Sequence, residues 1–434
     1  EYKLSKITQN SNKLSKSAQN RVIYFLTILC SILFLFIGNK IANNEKTMVA
    51  ESGNSTFHRS IVTEITGQEE VEYTFNEGSK GKSIYFKAKI TDGDLKDTVV
   101  NSVQNYDPFT PVKLKEISVG DKILIYEDET NGEKEWVFGE YIRSDALIWL
   151  CLIFFVLLLI FGKGKGFNTI LSLVFTCLAV FLMFIPAILS GQNIYFWTAI
   201  TCFFIVASTL LIIYKADKMT LASALGCASG ILVAYVITFI VDNVIHLTGL
   251  VDEQSTFLLF LSEDNPLDLK AIVFSGIIIG AIGAIMDVSI SISSALYEVK
   301  EKLKNPSFKD ILKSGLNIGR DIMGTMSNTL ILAYIGSSLS MVLLLAAYNT
   351  SILYLFNREM IVTEILQALV GSFALLSAIP ATSLICAVIY TENGRKFITS
   401  KFKKREVDIT EKKDDNVEQS WDINDIKTRI NNKD

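Results

Sequence analysis

Only two histidines, His58 and His246, occur in 434 residues, and each stands outside the apolar runs. Protein zinc sites need several clustered His, Cys or carboxylate ligands, so no metal centre is expected and both histidines read as surface residues. Cysteine is sparse as well. The six, Cys30, Cys151, Cys177, Cys202, Cys227 and Cys386, all lie in apolar runs, and none lies in the polar stretch that follows the first run. This placement excludes a disulfide framework, and no C-x-x-C metal or redox motif is present. A Walker A sequence is also missing, so this chain does not draw on ATP, and no cofactor is implied. Nor is there an excess of positive charge: 41 Lys and Arg stand against 45 Asp and Glu, a formal net charge of -4. That balance argues against nucleic acid as a partner.

What the chain does have is apolar sequence. Half of its residues are hydrophobic and its mean hydropathy is +0.36, too apolar for an average soluble domain. A bilayer core is about 30 Å thick and takes about 20 apolar residues to cross as a helix. By that measure there are eight candidate spans: Arg21–Ile41, Leu147–Phe161, Ile170–Leu189, Tyr195–Tyr214, Leu221–Val241, Ile272–Ala295, Ile322–Ala346 and Ile361–Ile389. The first run stays bulky up to Gly38 and lacks a small-residue cleavage site, so it reads as an uncleaved span. Pro186 and Pro380 fall inside spans and are expected to kink them. The Gly226 and Gly230 pair forms G-x-x-x-G, a helix-packing motif.

The fold class expected is therefore a polytopic α-helical membrane protein with about eight transmembrane helices and a small extracytoplasmic β-rich domain. Residues 1–20 read as a mobile cytoplasmic leader, 21–41 as the first transmembrane helix, 42–144 as the β-rich domain, 145–391 as a seven-helix membrane domain and 392–434 as a cytoplasmic tail. Lys and Arg set the orientation. The leader, Lys163 and Lys165, Lys215 and Lys218, Lys300 to Arg320 and the tail fall on one side, while the alternate connections hold only Arg358. Both termini are thus expected in the cytoplasm. Arg395, Lys396, Lys401, Lys403, Lys404 and Arg405 form a basic patch suited to anionic membrane lipid.

In residues 42–144 the pattern is polar and alternating. Ser60–Ile65, Val71–Phe75, Ser83–Ile90, Lys122–Tyr126 and Glu135–Tyr141 read as strands, separated by turns at Glu77-Gly78, Asp92-Gly93, Gly120-Asp121 and Asn131-Gly132. Five short strands in about 85 residues suggest a small β-barrel or OB-like fold. No basic stripe interleaved with aromatics supports an oligonucleotide role, and a docking or lid domain is the better reading.

The chain is organised around Ser275 to Leu339. Here one carboxylate, Asp287, sits inside an apolar helix, where a charge costs about 2.5 to 3.5 kcal/mol on insertion scales and marks a functional site by default. Gly276, Gly280, Gly283, Ala284, Asp287, Ser291 and Ser294 share one stripe at helical spacing. The stripe is expected to pack closely against a neighbouring helix through its glycines and hold the carboxylate away from lipid. Next, Phe308, Ile311, Leu312 and Leu316 give an amphipathic helix expected at the inner membrane surface. Arg320 and Asp321 lead into a span that begins with Gly324, Thr325, Ser327, Asn328 and Thr329, polar for such a helix. Glu364, near the outer start of the last span, reads as an interfacial acid.

The runs GAIGAIMDVSISISSALYE and GRDIMGTMSNTLILAYIGSSL resemble the signature of the YibE/F family of bacterial membrane proteins. The resemblance extends over most of the chain after Asp145 and implies a bacterial cytoplasmic membrane. The order of acid, charged inner helix, Arg and Thr/Ser-rich span is also similar to the membrane half of SecD/SecF and of resistance-nodulation-division exporters. That second similarity implies proton flow at Asp287 with help from Arg320. This chain supplies one such half, with no intramembrane Lys, which makes a second copy or a partner membrane subunit an expected associate.

The leading expectation is a transporter or export-type permease for an unknown small molecule or ion, not an enzyme. Asp287, Arg320, Asp321, Asn328 and Ser291 are the candidate proton- or cation-coupling residues. The alternative is a non-transporting scaffold or receptor with a structural Asp287. An intramembrane aspartyl protease needs a second deep acid to share a proton, and none is present.

Overall fold

The computed structural model describes residues 2–43, 56–72, 80–106, 115–130, 133–259, 267–303, 306–347 and 351–391. Two compact units form, Val49–Gly166 and Glu1–Met48 with Phe167–Asp434. The basic run from Arg395 to Arg405, the Glu77-Gly78 and Asn131-Gly132 turns and Phe75 lie outside the described residues.

The smaller unit holds a closed five-stranded barrel, as its alternating pattern suggests. Its strands are β1 (His58–Glu72), β2 (Lys80–Ile90), β3 (Val99–Tyr106), β4 (Lys122–Thr130) and β5 (Glu133–Tyr141). They close in the order β1-β2-β3-β5-β4; β3 and β5 run parallel and the other pairs antiparallel. Alternation sends Val62, Ile84, Phe86, Ala88, Ile90, Ile123 and Ile125 into the core. The first strand is longer than its sequence pattern suggests: β1 runs unbroken from His58 through Val71. Register shifts between Val62 and Glu64 and between Ile65 and Gly67 bend it so that it pairs with both β2 and β4. Strand β3 is not among the expected strands, although Val99, Val100, Val103 and Tyr106 give it the β-branched and aromatic composition of a strand. The Asp92-Gly93 and Gly120-Asp121 turns are present, with Gly93 and Gly120 at φ 65° and 91°, where a Cβ would be strained.

Between β3 and β4, the segment from Lys115 to Asp121 closes one end of the barrel. The Lys115 carbonyl accepts from the hydroxyls of Tyr106 at 2.9 Å and Tyr141 at 2.7 Å, and the Ile117 N–H donates to Gln104 Oε1 at 3.1 Å. Asp121 ties the segment to itself, accepting from the Lys115 ammonium at 2.9 Å and from the Ser118 N–H at 2.9 Å. At the barrel's other connection Asp145, in the first turn of α2 (Ser144–Ala179), ion-pairs with Arg59 of β1 and with Lys122 of β4 at 3.2 Å.

In the larger unit, α1 (Tyr2–Ala42) includes residues 2–20, expected as a mobile leader. No Pro or Gly interrupts that segment, so the helix nucleated by the apolar span runs on through it. After α2 come a π-helical turn (Val180–Phe184), α3 (Ile185–Leu189), α4 (Ile194–Tyr214), α5 (Lys218–Ile245), α6 (Glu253–Leu259), α7 (Leu269–Lys302), α8 (Phe308–Ser337), α9 (Leu339–Ala347), α10 (Ile352–Leu355) and α11 (Glu359–Tyr390).

Among the described residues, six helical stretches are long and apolar enough to cross a membrane: Arg21–Ala42, Ser144–Leu189, Ile194–Tyr214, Lys218–Ile245, Leu269–Lys302 and Glu359–Tyr390. The chain is a multi-pass membrane protein. Two expected spans, Leu147–Phe161 and Ile170–Leu189, fall inside the 46-residue Ser144–Leu189 stretch, which is broken at Lys163 (φ 48°, ψ -126°). A single crossing takes about 20 residues, so that stretch has the length for two. The expected Ile322–Ala346 span is divided between α8 and α9 at Ser338, and its polar start keeps it out of the six.

Pro186 carries no N–H, which leaves the Leu182 carbonyl without its usual helical donor. The Asn39 side-chain amide of α1 donates to that carbonyl, and Met183 packs on Gly38. The proline break is thereby the docking point for α1. Pro380 lies inside α11, which continues through it.

The bundle centres on α11, which packs against α5, α7 and α8. Glycines set the spacing: Gly226 of α5 rests on Thr382, Gly230 lies against Ile285, Ala374 and Ala378, Gly315 of α8 lies against Ser383 and Leu296, and Gly319 against Ile379 and Ile292. The Gly226–Gly230 motif therefore packs as expected. The stretch from Phe308 to Leu316 does not form a separate surface helix. It is the first part of α8, and Ile311 is fully buried because Gly315 and Gly319 let this end of the helix close onto α11 and α7.

Contacts also fix direction. Ser289 meets Thr382 at 3.3 Å and Ser293 meets Cys386 at 3.4 Å, so α7 and α11 run the same way; Tyr195 on Phe274 with Tyr214 near Asp287 aligns α4 with them. The glycine contacts run α5 and α8 the opposite way. The connections bearing Lys215, Lys218 and Lys300 thus share one end of the bundle with Tyr390, where the Lys300 ammonium sits 5.3 Å from the Tyr297 ring and 5.7 Å from the Tyr390 ring.

One pH-dependent consequence belongs to the barrel. Burial raises the Asp121 carboxyl pKa, but the Lys115 ammonium and the Ser118 N–H outweigh it and hold the carboxyl below its ordinary value. A depressed acid stabilises the fold above its unfolded pKa and loses that contribution as pH falls through the folded value. The protection of the Ser118 amide against exchange, relative to its intrinsic rate at each pH, is expected to fall on acidification, and Asp121→Ala should show the lowered protection already at neutral pH. Unchanged exchange in the variant would contradict the tie.

Candidate functional site

Helix α7 has two unlike faces. Ile277, Ile278, Ile285, Val288 and Ile292 are buried, against α4 and α5 on one side and α8 and α11 on the other. Gly276, Gly280, Gly283, Asp287 and Ser291 are exposed. The bulky face thus makes the core, where branched side chains supply packing contact that glycine cannot.

This corrects one expectation. Gly276 and Gly283 were expected to pack against a neighbouring helix, yet among the described residues nothing lies within 4 Å of a Cβ built on either. Gly280 alone of the three meets other helices, its built Cβ falling 2.9 Å from Tyr334 Oη of α8 and 3.2 Å from Gln367 Nε2 of α11. The small residues that bring helices together are those of α5 and α8. The stripe on α7 is instead exposed, flanked on α7 itself by the partly buried Ala284, Met286 and Ile290.

Asp287 stands on that exposed face. Among the described residues it makes no hydrogen bond or ion pair, and its electrostatic neighbour is the Tyr214 hydroxyl at the end of α4. The facing part of α8 follows from register. Gly319 meets Ile292 and Tyr334 meets Gly280 on antiparallel helices, so Asp287 is level with Gly324 to Ser327. Gly324 has open space where a Cβ would be, and the Ser327 hydroxyl is buried without a partner. A carboxylate thereby lies level with a small, polar, unfilled stretch of the next helix.

Of the other candidate residues, Ser291 lies one turn from Asp287 on the same open stripe. Arg320 is exposed, adjoins Gly319, and so stands at the level of Ile292, five residues along α7 from Asp287; it forms no ion pair with Asp287. Asp321 and Asn328 are exposed on α8. The structure brings Asp287 and Ser291 together, sets the Ser327 stretch opposite, and leaves Arg320, Asp321 and Asn328 outside that grouping. Tyr334 and Gln367, which converge on Gly280, were not singled out by the sequence. Their signal, a Tyr and a Gln inside apolar helices, is weak until three helices are seen to cross.

No cluster of three or more His, Cys, Asp or Glu able to hold a metal ion occurs among the described residues. The cysteines are all free, with Cys202, Cys227 and Cys386 buried.

A family model described as YibE/F-like protein matches residues 150–392, more than half of the chain. No curated protein and no solved structure matches.

The two glycine environments differ in what they tolerate. Adding a methyl group where backbone or side chain already touches costs about 1 to 3 kcal/mol, so Gly226→Ala and Gly319→Ala are expected to lower the thermal stability of the detergent-solubilised protein. Gly276→Ala and Gly283→Ala, which meet open space, are expected to leave it unchanged or raise it slightly. The reverse order of stabilities would refute the assignment of packed and open faces.

Proposed function

We propose that this chain, which belongs to the YibE/F-like family, is a transporter or export-type permease in which Asp287 takes up and releases a proton or a small cation. One observation carries the reading: an acid in a helix long and apolar enough to cross a membrane, on an exposed face, with no hydrogen bond or ion pair among the described residues. An acid kept only for packing would be expected to spend its hydrogen-bonding capacity on neighbouring groups, since an unpaired polar group in the apolar layer is costly. Asp287 keeps that capacity free. Gly283 and Gly324, one turn before Asp287 and level with it, have open space where a side chain would be, which in this reading leaves room for water or a cation beside the carboxylate.

The bundle's directions support a consistent orientation. The Lys-bearing connections share one end, so the positive-inside tendency puts that end in the cytoplasm. The first helix then leads out to the barrel, which would serve as a docking or lid domain on the far side. Arg320, standing about five residues' rise from Asp287, acts in this reading as a basic group near the inner end of that exposed face rather than as a fixed partner.

The test compares substitutions in the full-length protein reconstituted in vesicles. Asp287→Asn keeps shape and hydrogen bonding and removes titration, whereas Asp287→Ala removes both. Asn is expected to leave folding and expression intact and to abolish proton or monovalent-cation flux. A silent Asn variant beside an Ala variant destabilised by roughly 1 to 3 kcal/mol would favour a structural acid in a scaffold or receptor instead.

A further inference from the structure

We infer that Glu364, Gln367 and Tyr334 form the mouth through which a proton or small monovalent cation reaches Asp287 from the end of the bundle away from the basic connections. The inference rests on the proposed role of Asp287. It starts from a contrast between two acids on α11. Glu359 is fully engaged in structure: its carboxylate accepts from the Thr248 N–H at 2.6 Å, the Thr248 hydroxyl at 2.7 Å and the Gly249 N–H, pinning the loop after α5 to the start of α11. Glu364, five residues deeper and half-buried, has no such anchor among the described residues. Its electrostatic neighbour is the Tyr334 hydroxyl, which also stands against the Gln367 amide.

These groups line up. Gln367 is one turn beyond Glu364 on α11 and, with Tyr334 of α8, converges on Gly280, where α7 offers no side chain to fill the space. Gly280 lies seven residues before Asp287, two turns along the same stripe and about 10 Å by helical rise. On α8 the same interval of seven separates Tyr334 from Ser327, so both hydroxyls lie on one face, the second level with Asp287. Two hydroxyls on this route are buried without a partner: Ser327, and Thr363, one turn before Gln367 on α11. Thr363 is only 8% exposed. Buried polar atoms are normally satisfied, by ordered water where protein groups are absent. Glu364, the Gln367–Tyr334 pair over Gly280, and Ser327 thus mark a polar line that ends at Asp287. The titratable groups facing it are Glu364 from α11, Tyr334 from α8 and Asp287 from α7, with Tyr214 of α4 at its inner end; no ion pair joins Glu364 to a basic side chain among the described residues.

The experiment uses the full chain in sealed vesicles, with the native cysteines retained and modification mapped by peptide mass spectrometry. The Gln367→Cys variant is exposed to a cationic, membrane-impermeant methanethiosulfonate, which reacts only where water reaches the thiol. Modification is expected from the face opposite the basic end, and adding Glu364→Gln should slow it several-fold, because the carboxylate draws the cation in. Glu364→Gln alone should slow flux several-fold without changing thermal stability. If the thiol introduced by Gln367→Cys stays unmodified from that face, or reacts at a rate indifferent to Glu364, the mouth is overturned. If Asp287→Asn abolishes flux while Glu364→Gln leaves it whole, the mouth alone is wrong; full flux in both variants would overturn the transport reading as well.

Discussion

Close approach of helix backbones at four glycines governs this bundle. Gly226 and Gly230 seat α5 on α11, and Gly315 and Gly319 seat α8 on α11 and α7. In hydrocarbon no hydrophobic effect drives helices together, so contact area gained through small residues has to do it. With α11 occupied on those sides, α7 meets the core through its isoleucines and Val288, and Ser289 and Ser293 accept hydrogen bonds from Thr382 and Cys386 of α11. The opposite face of α7, with its glycines and Asp287, is what remains outside.

That arrangement gives the acid its character. An ionised carboxylate in the apolar layer costs about 2.5 to 3.5 kcal/mol on insertion scales, and here no basic partner offsets the cost among the described residues. The Tyr214 hydroxyl flanks it on one side and the polar start of the α8 span, Gly324 to Ser327, stands level with it on the other. Gly283, one turn away, and Gly324, level with the acid, have open space where larger side chains would stand. A group so placed differs from a buried and fully bonded acid in that its oxygens are unengaged among the described residues, the feature on which the proposed exchange of a proton or cation rests. The engaged Glu359 at the opposite end of the bundle from Lys300 shows the same chain using a carboxylate in the other manner.

Much of this is legible in the sequence, and the rest fails for identifiable reasons. Composition locates membrane-crossing helices because the bilayer sets a minimum apolar length, and alternation locates the barrel because one face of each strand must be buried. Asp287 stands out in the sequence as a lone acid in an apolar helix. The glycine stripe beside it misleads: spacing identifies a face that allows close packing, but not whether a neighbour uses it. Gly315 and Gly319 escape notice for the complementary reason, since the apolar spacing around them fits a surface helix as well as a packed one. Strand β3 carries its signal in Val99, Val100 and Val103 but interrupts it with Asn101, Ser102 and Gln104. The meeting of Tyr334 and Gln367 over Gly280 depends on how three helices cross, which no local pattern encodes.

The most direct measurement of the central claim is chemical modification of Asp287 itself. Hydrophobic carbodiimides react with protonated carboxyls reached from the apolar phase, and the adduct can be located by peptide mass spectrometry. An exchangeable Asp287 should label in the folded protein, and labelling should fall as pH rises and be reduced by the transported cation if one competes for the site. A folded protein in which Asp287 never labels at any pH, while exposed acids elsewhere react, would contradict an open, titrating carboxylate.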